Sequence, residues 1–336
     1  MKLINFIYKS VLLVMALSFV GIIACNTSKT QEKGTASESK EIVAEEPSLF
    51  FKISLAQWSL HKAMRDDKTI DPLDFAKKAK ELGFDGIEYV SQLYKDELAK
   101  DKDPKVAMDN LLKILKANSE EYQIENVLIM VDEEGYLASL DESERKQSIE
   151  NHKKWVDAAA FLGCHSIRVN AHGTGSAEDV AQAAIEGLSE LADYAKEKNI
   201  NIIVENHGGY TSNGAWLSDV MTRIGKDNCG TLPDFGNFCQ TEDYGSINDE
   251  NCADAYDIYK GTKELMPFAK GVSAKSYDFD EDGNQPKIDY VKMLQVVKDA
   301  GYRGYIGVEY EGQLQGEEEG IALTKALLIK AGNQLK

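Results

Sequence analysis

The chain predicts an α/β protein, and within that class a (β/α)8 TIM barrel. Three observations carry this expectation. One unit recurs: a helix that stops at a glycine, a short turn, then an apolar strand. Phe75–Gly83 leads to Gly86–Val90, Trp155–Gly163 to His165–Asn170, and Tyr290–Gly301 to Tyr305–Glu309. Strands and helices alternate through residues 50–336; strict alternation implies a parallel sheet under helical cover, and eight pairs fit a closed barrel. Finally, three apolar runs end abruptly in acid: Ile-Ile-Val-Glu205, Thr-Leu-Pro-Asp234 and Ile-Gly-Val-Glu309. A parallel strand is buried on both faces, so a terminal carboxylate serves no packing purpose there. The C-terminal ends of strands are where α/β folds keep their chemistry.

In order, strands are expected near 52–58, 86–90, 124–131, 165–170, 200–205, 229–234, 270–275 and 305–309, with a last helix near 315–333. The recurring helices stop at Gly83, Gly163 and Gly301, residues that adopt the left-handed conformation beyond a last turn without steric cost. Asp71-Pro72 reads as a cap followed by proline at the first helical position. Ser176-Ala-Glu-Asp179 reads as a looser capping box, with Asp in place of Glu or Gln. A doubly wound open sheet is the alternative architecture, but no G-x-G-x-x-G follows the first strand.

The amino-terminal segment stands outside this pattern. Lys2 and Lys9 flank the start of an apolar stretch, Val11 to Ala24, that is too short for a comfortable membrane span. Residues 1–24 read as a signal peptide resembling that of a bacterial lipoprotein, with Cys25 lipidated after cleavage. Residues 25–49 are polar and small and read as a flexible tether; the barrel occupies 50–336. The expected location is therefore the periplasmic or outer-surface face of a bacterial membrane. The formal net charge is −18, and loss of the two signal lysines leaves the mature chain near −20. So acidic a surface repels nucleic acid and anionic headgroups. Export permits disulfides, and Cys239 and Cys252, both in a loop-rich stretch, are a candidate pair.

Placed on the barrel frame, the polar residues gather at one rim. Strand one ends in Gln57-Trp58-Ser59, with His61 beyond, and strand two carries Glu88. Strand four offers Arg168 and Asn170, then His172; strand five offers Glu205, Asn206 and His207. Asp234 and Asn237 follow from strand six, Ser273 and Lys275 from strand seven, Glu309 and Glu311 from strand eight. Crowded carboxylates raise one another's pKa unless a cation neutralises them. Glu205, Asp234, Glu309 and His207 make an oxygen-rich set with one imidazole, which suits Mn2+, Mg2+ or Zn2+. A cation held there can bind the oxygens of a hydroxy-ketone and stabilise the enediolate formed when the adjacent carbon loses its proton. Glu88, Arg168, Asn170, His172, Asn237 and Trp58 are the candidate contacts to a small-molecule sugar or keto-sugar.

Signal and tether aside, the body resembles the xylose-isomerase-like TIM-barrel superfamily, which includes sugar (phosphate) isomerases and epimerases and endonuclease-IV-like enzymes. The matching stretches are GFDGIEYV, INIIVENHGG, GTLPDFGNF, PFAKGVSAKSYDF and GYIGVEYEG, in the family's order at strands two, five, six, seven and eight. The resemblance implies that Glu205, Asp234 and Glu309 bind one divalent metal and that the two glutamates are the acid/base pair. The family's strand-seven His is Ser273 here, and a second His after the strand-six Asp is Asn237. A hydroxyl is a poor ligand for transition metals, so the expectation is that His207, Asn237 or water fills the gap, or that the metal is weakly held or lost. Lys275 then gains importance as a group that polarises a ketone or holds an enolate oxygen.

Plainer roles compete. Glu205 and Glu309 are also placed to pair with Arg168 or Lys275, and Asp234 to cap the turn before Gly236. His207 beside Gly208-Gly209 reads equally as a loop histidine, and His61, His152 and His165 as surface or loop-packing residues. Glu317–Glu319 reads as a solvated helix start. Trp58 and Trp216 suit either a wall for a sugar ring or the core. The reading that results is a sugar isomerase or epimerase. A keto-glycoside lyase on the same site and a non-catalytic sugar-binding lipoprotein are the alternatives; a nuclease is opposed by the charge and the absent histidines.

Overall fold

The computed structural model describes residues 49–241 and 244–336. The signal segment 1–24, Cys25 and all of the tether but its last residue lie outside the described residues. Eight strands, β1 (Lys52–Ala56), β2 (Gly86–Val90), β3 (Glu125–Met130), β4 (Ser166–Val169), β5 (Asn201–Glu205), β6 (Cys229–Leu232), β7 (Val272–Ser276) and β8 (Tyr305–Tyr310), form one parallel sheet. Their order is β6-β5-β4-β3-β2-β1-β8-β7. Among the described residues no helix is long and apolar enough to cross a membrane.

The helices alternate with the strands: α1 (Phe75–Glu81), α2 (Lys95–Leu98), α3 (Pro104–Glu121), α4 (Glu142–Leu162), α5 (Ala177–Lys196), α6 (Gly214–Ile224), α7 (Ile258–Leu265), α8 (Tyr290–Asp299) and α9 (Glu317–Gln334). In α5 the buried residues Val180, Ala184, Leu188, Leu191 and Ala195 fall at helical spacing, which lays one apolar stripe on the sheet. Gly83, Gly163 and Gly301 all adopt positive φ (+76°, +84° and +78°), as helix-ending glycines should. Asp71 caps a short 3-10 turn, Pro72–Asp74, ahead of α1. Ser176 Oγ accepts from the Asp179 amide at 3.2 Å. Asp179 does not reach back to the backbone as in a capping box; it accepts from the Ser176 hydroxyl at 2.6 Å.

Most strands are a residue or two shorter than the apolar pattern suggests, and for β1 and β6 the cause is visible. β1 stops at Ala56 because Gln57 turns the chain into a 3-10 helix, Gln57–Leu60. Its buried amide accepts from Val90 N and donates to Tyr94 Oη, both at 2.9 Å. β6 stops at Leu232 because Pro233 has no N–H to continue a ladder. The barrel closes at this seam through isolated bridges, Thr231 to Ala269 and Asp234 to Ser273, in place of a regular β6–β7 ladder. Ser273 N donates to Pro233 O at 2.9 Å and Phe235 N to Ser273 O at 3.1 Å. The proline thus sets Asp234 directly against Ser273.

Two backbone features shape the lumen. Between β2 and β3 the register slips at Ile87/Glu88, leaving Val127 unpaired. On β8, a Cβ at Gly307 would lie 2.6 Å from both carboxylate oxygens of Glu88, so only glycine leaves room for that buried acid.

The connection from β6 to α7, residues 233–257, is long and internally braced. A disulfide joins Cys239 and Cys252, as their loop setting suggested, with Cα atoms 5.9 Å apart. Cys239 N donates to Gly245 O, and Tyr256 N to Phe238 O. Replacing both cysteines by alanine should lower stability by about 3 kcal/mol, the chain-entropy value for a loop of this size. Urea unfolding without reductant measures it. Finding both thiols free to alkylation in the purified protein would overturn the pairing.

Candidate active site

Each of the three acid-ended runs delivers its carboxylate to one place. Glu205 from the end of β5, Asp234 just past β6 and Glu309 on β8 are all buried, and one oxygen from each lies within 4.8 Å of the others. The strand ends that carry them are far apart in sequence and are neighbours only because the barrel closes.

The surroundings are ionic. Arg168 on β4 is buried and forks between two acids, with Nη1 2.6 Å from Asp132 Oδ1 and Nε 2.8 Å from Glu205 Oε2. The second contact has the distance of a hydrogen bond without its direction, and both atoms lack a hydrogen-bond partner among the described residues. Lys275 on β7, almost completely buried, lies 3.2 Å from Glu309 Oε1 and 3.2 Å from Glu311 Oε2. Burial works against its charge, but Glu309, Glu311, Asp234 and Glu205 together raise its pKa well above the usual lysine value. It stays an ammonium. Glu205 shifts upward chiefly because it is buried, with Glu309 and Asp234 adding to the effect and Arg168 opposing it.

Asp234 has no cation of its own. Its Oδ1 accepts from the backbone N–H groups of Gly236 and Asn237, both at 2.8 Å. The turn-cap role and the site role therefore coincide in one residue. Asn206 pins the same turn, accepting from Asp234 N at 2.7 Å and donating to the carbonyls of Asp234 and Asn237. Burial, with repulsion from Glu309 outweighed in part by Lys275, pushes Asp234 up to about 7.

Ser273 stands where the family resemblance expected histidine. Its hydroxyl lies 2.5 Å from Asp234 Oδ2 and 2.7 Å from Glu309 Oε2. A hydroxyl has one proton to give, so it cannot donate to both acids. Either one carboxyl carries a proton and donates to the serine, or a cation relieves the pair. With Asp132, Glu205, Asp234, Glu309 and Glu311 facing only Arg168 and Lys275, the cluster is short of positive charge. Three buried carboxylates, with Glu205 Oε2 lacking a hydrogen-bond donor of good direction, therefore suit a divalent cation, and Glu205, Asp234 and Glu309 would hold it.

The other expected residues divide. Asn237 donates Nδ2 to Glu205 Oε1 at 3.0 Å, which steadies the glutamate. His207 lies outside the three-carboxylate group. Its Nδ1 is buried without a hydrogen-bond partner among the described residues. Burial first, then Arg168, lowers its pKa well below the histidine value, so it is neutral. Its ring and that of His172 are 6.1 Å apart. Asn170 donates to Asp132 Oδ1 at 2.8 Å. Trp58 stacks on His61 at 4.4 Å and, after Lys275, helps hold Glu311 ionised against burial. Trp216 packs against the core, the other reading given for it: it stacks on Tyr210 and donates to Ala177 O at the start of α5. Glu317 is more than a solvated helix start, since it accepts from Lys62 N and Ala63 N at 2.8 and 3.0 Å. His152, expected at the surface or packed in a loop, is a buried residue of α4. Asp132 escaped the sequence reading, although it too ends an apolar run, Val-Leu-Ile-Met-Val-Asp132.

Glu88 projects into the lumen over Gly307 and accepts from Ser54 Oγ at 2.6 Å; its Oε2 has no hydrogen-bond partner among the described residues. Burial, opposed by the Ser54 hydrogen bond and aided by Glu309, raises its pKa from 4.5 to about 8. The folded protein keeps this proton up to about pH 8, whereas the unfolded chain releases it near 4.5. Glu88 therefore favours folding below pH 4.5, and that contribution is lost as pH rises toward 8, by at most about 1.4 kcal/mol per pH unit. Glu88→Gln, neutral throughout, should gain stability relative to the parent as pH rises from 5 to 8. Denaturant midpoints at both pH values measure it; a difference independent of pH would show that Glu88 is ionised in the fold.

Removal of Arg168 tests the network from the other side. Arg168→Met leaves Asp132 and Glu205 as buried charges without their cation and should cost about 3–5 kcal/mol by thermal or urea unfolding. A loss below about 1 kcal/mol would mean that the two acids are not held as ions.

Comparison with known proteins agrees with this fold. A structure titled 3-keto-D-glucoside 4-epimerase from E. coli superposes with a TM-score of 0.63 at 14% identity, covering 83% of this chain and 99% of that one. A xylose isomerase-like TIM barrel protein from Mycobacterium smegmatis, solved with magnesium, superposes with a TM-score of 0.58 at 16% identity, covering 85% and 98%. In sequence, 65 residues are 40% identical to the C-glycoside deglycosidase alpha subunit of Arthrobacter globiformis, a match that spans 18% of this chain and 18% of that relative. The family profile described as Xylose isomerase-like TIM barrel matches residues 76–327, most of the folded body, and the chain belongs to that family.

Proposed function

We propose that this chain is an exported, lipid-anchored sugar isomerase or epimerase that removes a proton from the carbon beside a carbonyl of a sugar or keto-sugar and returns it at another carbon or face. The convergence of Glu205, Asp234 and Glu309 beside a lysine fixed as its ammonium carries the reading. Such a reaction needs a base on the carbon and positive charge near the oxygen that becomes the enolate. Glu205 and Glu309 are the proton-transfer pair. Burial strengthens Glu205 as a base, and Asn237 and Arg168 fix its orientation. Lys275 acts as charge rather than as a Schiff-base amine, because a permanently protonated amine cannot attack a ketone. A divalent cation bound by the three carboxylates would add Lewis acidity toward the substrate oxygens.

The lipid anchor at Cys25 and the export signal rest on the sequence, and the Cys239–Cys252 disulfide agrees with an oxidising compartment. Export in turn favours an unphosphorylated substrate. A second reading, elimination of an aglycone from a keto-glycoside, shares the enolate and is favoured by the identity shared with a C-glycoside deglycosidase subunit. Product analysis separates them: a released aglycone means a lyase, an isomeric sugar an isomerase.

In D2O, the enzyme should exchange the hydrogen beside the carbonyl of a ketohexose or a 3-keto-glucoside, as read by NMR. Glu205→Gln and Glu309→Gln should each slow that exchange by about a hundredfold or more while remaining folded. Undiminished exchange in either variant would remove that residue from the chemistry. Chelation should lower the rate, and the ion among Mn2+, Mg2+ and Zn2+ that restores it is the working metal. Asp234→Asn should lose metal by elemental analysis, and equal metal content in the variant would sink this ligand assignment. Cys25→Ser should move the protein from the membrane pellet to the soluble fraction; an unchanged distribution would refute the anchor.

A further inference from the structure

Beside the carboxylate centre lies a cavity of about 360 Å3, bounded by the loop after β3, by α4 and by the loop after β4. Among its walls are Glu133, Gly135, Tyr136, His152, Asn170 and His172. The volume falls at the lower end of the roughly 300–1,000 Å3 of small-molecule sites, the size of one ring rather than an oligosaccharide.

Its polar groups are acceptors. His152 Nδ1 is 2.8 Å from the carbonyl of Ser148, which can only accept, so Nδ1 carries the proton and Nε2 is left with a lone pair. Burial lowers the pKa of His152 and keeps the ring neutral. Asn170 spends its N–H on Asp132, and its Oδ1 has no hydrogen-bond partner among the described residues. None of the lining residues is Lys or Arg, and Glu133 and Glu134 are among them. An anion has nothing to hold it there; hydroxyl groups do.

Rings run from this cavity across the mouth. Tyr136 meets His172 edge to face at 6.3 Å, His172 lies 6.1 Å from His207, and His207 lies 5.5 Å from Tyr244 on the β6–α7 connection. The cavity is also joined to the chemistry by a short chain of contacts. Asn170 and Arg168 both donate to Asp132 Oδ1, and Arg168 reaches Glu205.

We propose that the cavity is a subsite for a second ring, so that the preferred substrate is a keto-sugar glycoside carrying an uncharged, hydroxyl-bearing ring, not a free or phosphorylated ketose. The proposal rests on the catalytic reading above and names the substrate class for it. Tyr136 and His172 supply faces and edges for the ring, and His152 Nε2 accepts from one of its hydroxyls.

The test compares, on the full protein, a free keto-glucose and its 4-hydroxyphenyl β-glycoside. The wild type should favour the glycoside by about tenfold or more in kcat/KM. Tyr136→Ala, at a residue that is 61% exposed, should reduce that preference about fivefold through KM, the scale of one lost ring contact. Tyr136→Phe should keep it. A wild-type preference near one, or a Tyr136→Ala loss equal for both substrates, overturns the subsite. If neither keto-sugar exchanges its C–H hydrogen, the catalytic reading has failed, and the subsite is judged by calorimetric binding of 4-hydroxyphenyl β-glucoside against glucose. Tighter binding of the glycoside, lost in Tyr136→Ala and retained in Tyr136→Phe, supports it; equal binding of the two sugars, or no effect of the alanine, overturns it.

Discussion

Charge balance inside the barrel mouth is the constraint on which the rest depends. Asp132, Glu205, Asp234, Glu309 and Glu311 crowd around Arg168 and Lys275, largely out of water. Each cation is shared between two acids, and Asp234 is left to backbone amides and a serine. Burying ions is unfavourable even when they are paired, and a well-packed apolar cluster of the same volume would often be as stable or more so. A fold that keeps such a cluster keeps it for its chemistry. Several local features make the arrangement possible: the proline that breaks β6 and swings Asp234 against β7, the glycine on β8 that admits Glu88, and the asparagine that pins the turn after β6.

Much of this was legible in the chain because the signals are local. Apolar runs give the strands, positive-φ glycines end the helices, and a carboxylate terminating an apolar run has few explanations other than a site. Applied one strand further, the same rule finds Asp132, which ends Val-Leu-Ile-Met-Val and anchors Arg168. It was hidden because the acid lies two residues past the last paired residue of β3 and reads as loop. The plain readings of Glu205, Asp234 and Glu309 leave their convergence intact. The ion pairs with Arg168 and Lys275 and the turn cap at Asp234 are how the site is held together.

What the chain did not disclose depends on register across the barrel. Ser273 bridges Asp234 and Glu309 over 39 and 36 residues of sequence, and no periodicity within one strand reveals its neighbours on the strands either side. The need for glycine at 307 is visible only once Glu88 is known to lie over it. His152 sits on a helix of low amphipathic contrast between acids and lysines, so its burial against the loop after β3 has no local sign. Trp216 carried two readings, a sugar wall or the core, and only its packing against the core and its bond to Ala177 O distinguish them.

The replacement of an imidazole by Ser273 gives the centre its particular character. A histidine there would be a further metal ligand or a source of positive charge. A hydroxyl adds neither, and at 2.5 and 2.7 Å from two acids it can satisfy only one of them with its own proton. The burden of neutralisation therefore passes to Lys275, which makes its protonation a structural requirement as well as a chemical one. With its amine committed to Glu309 and Glu311, the lysine is a fixed positive charge in the centre. The same substitution removes bulk from the β7 side of the mouth, while His172, His207 and Tyr244 build up the opposite side with rings. The mouth thus has two unlike sides, rings on the loops after β3, β4, β5 and β6 and acids at the ends of β5 to β8. Asp132 and Arg168 join the two by direct polar contacts.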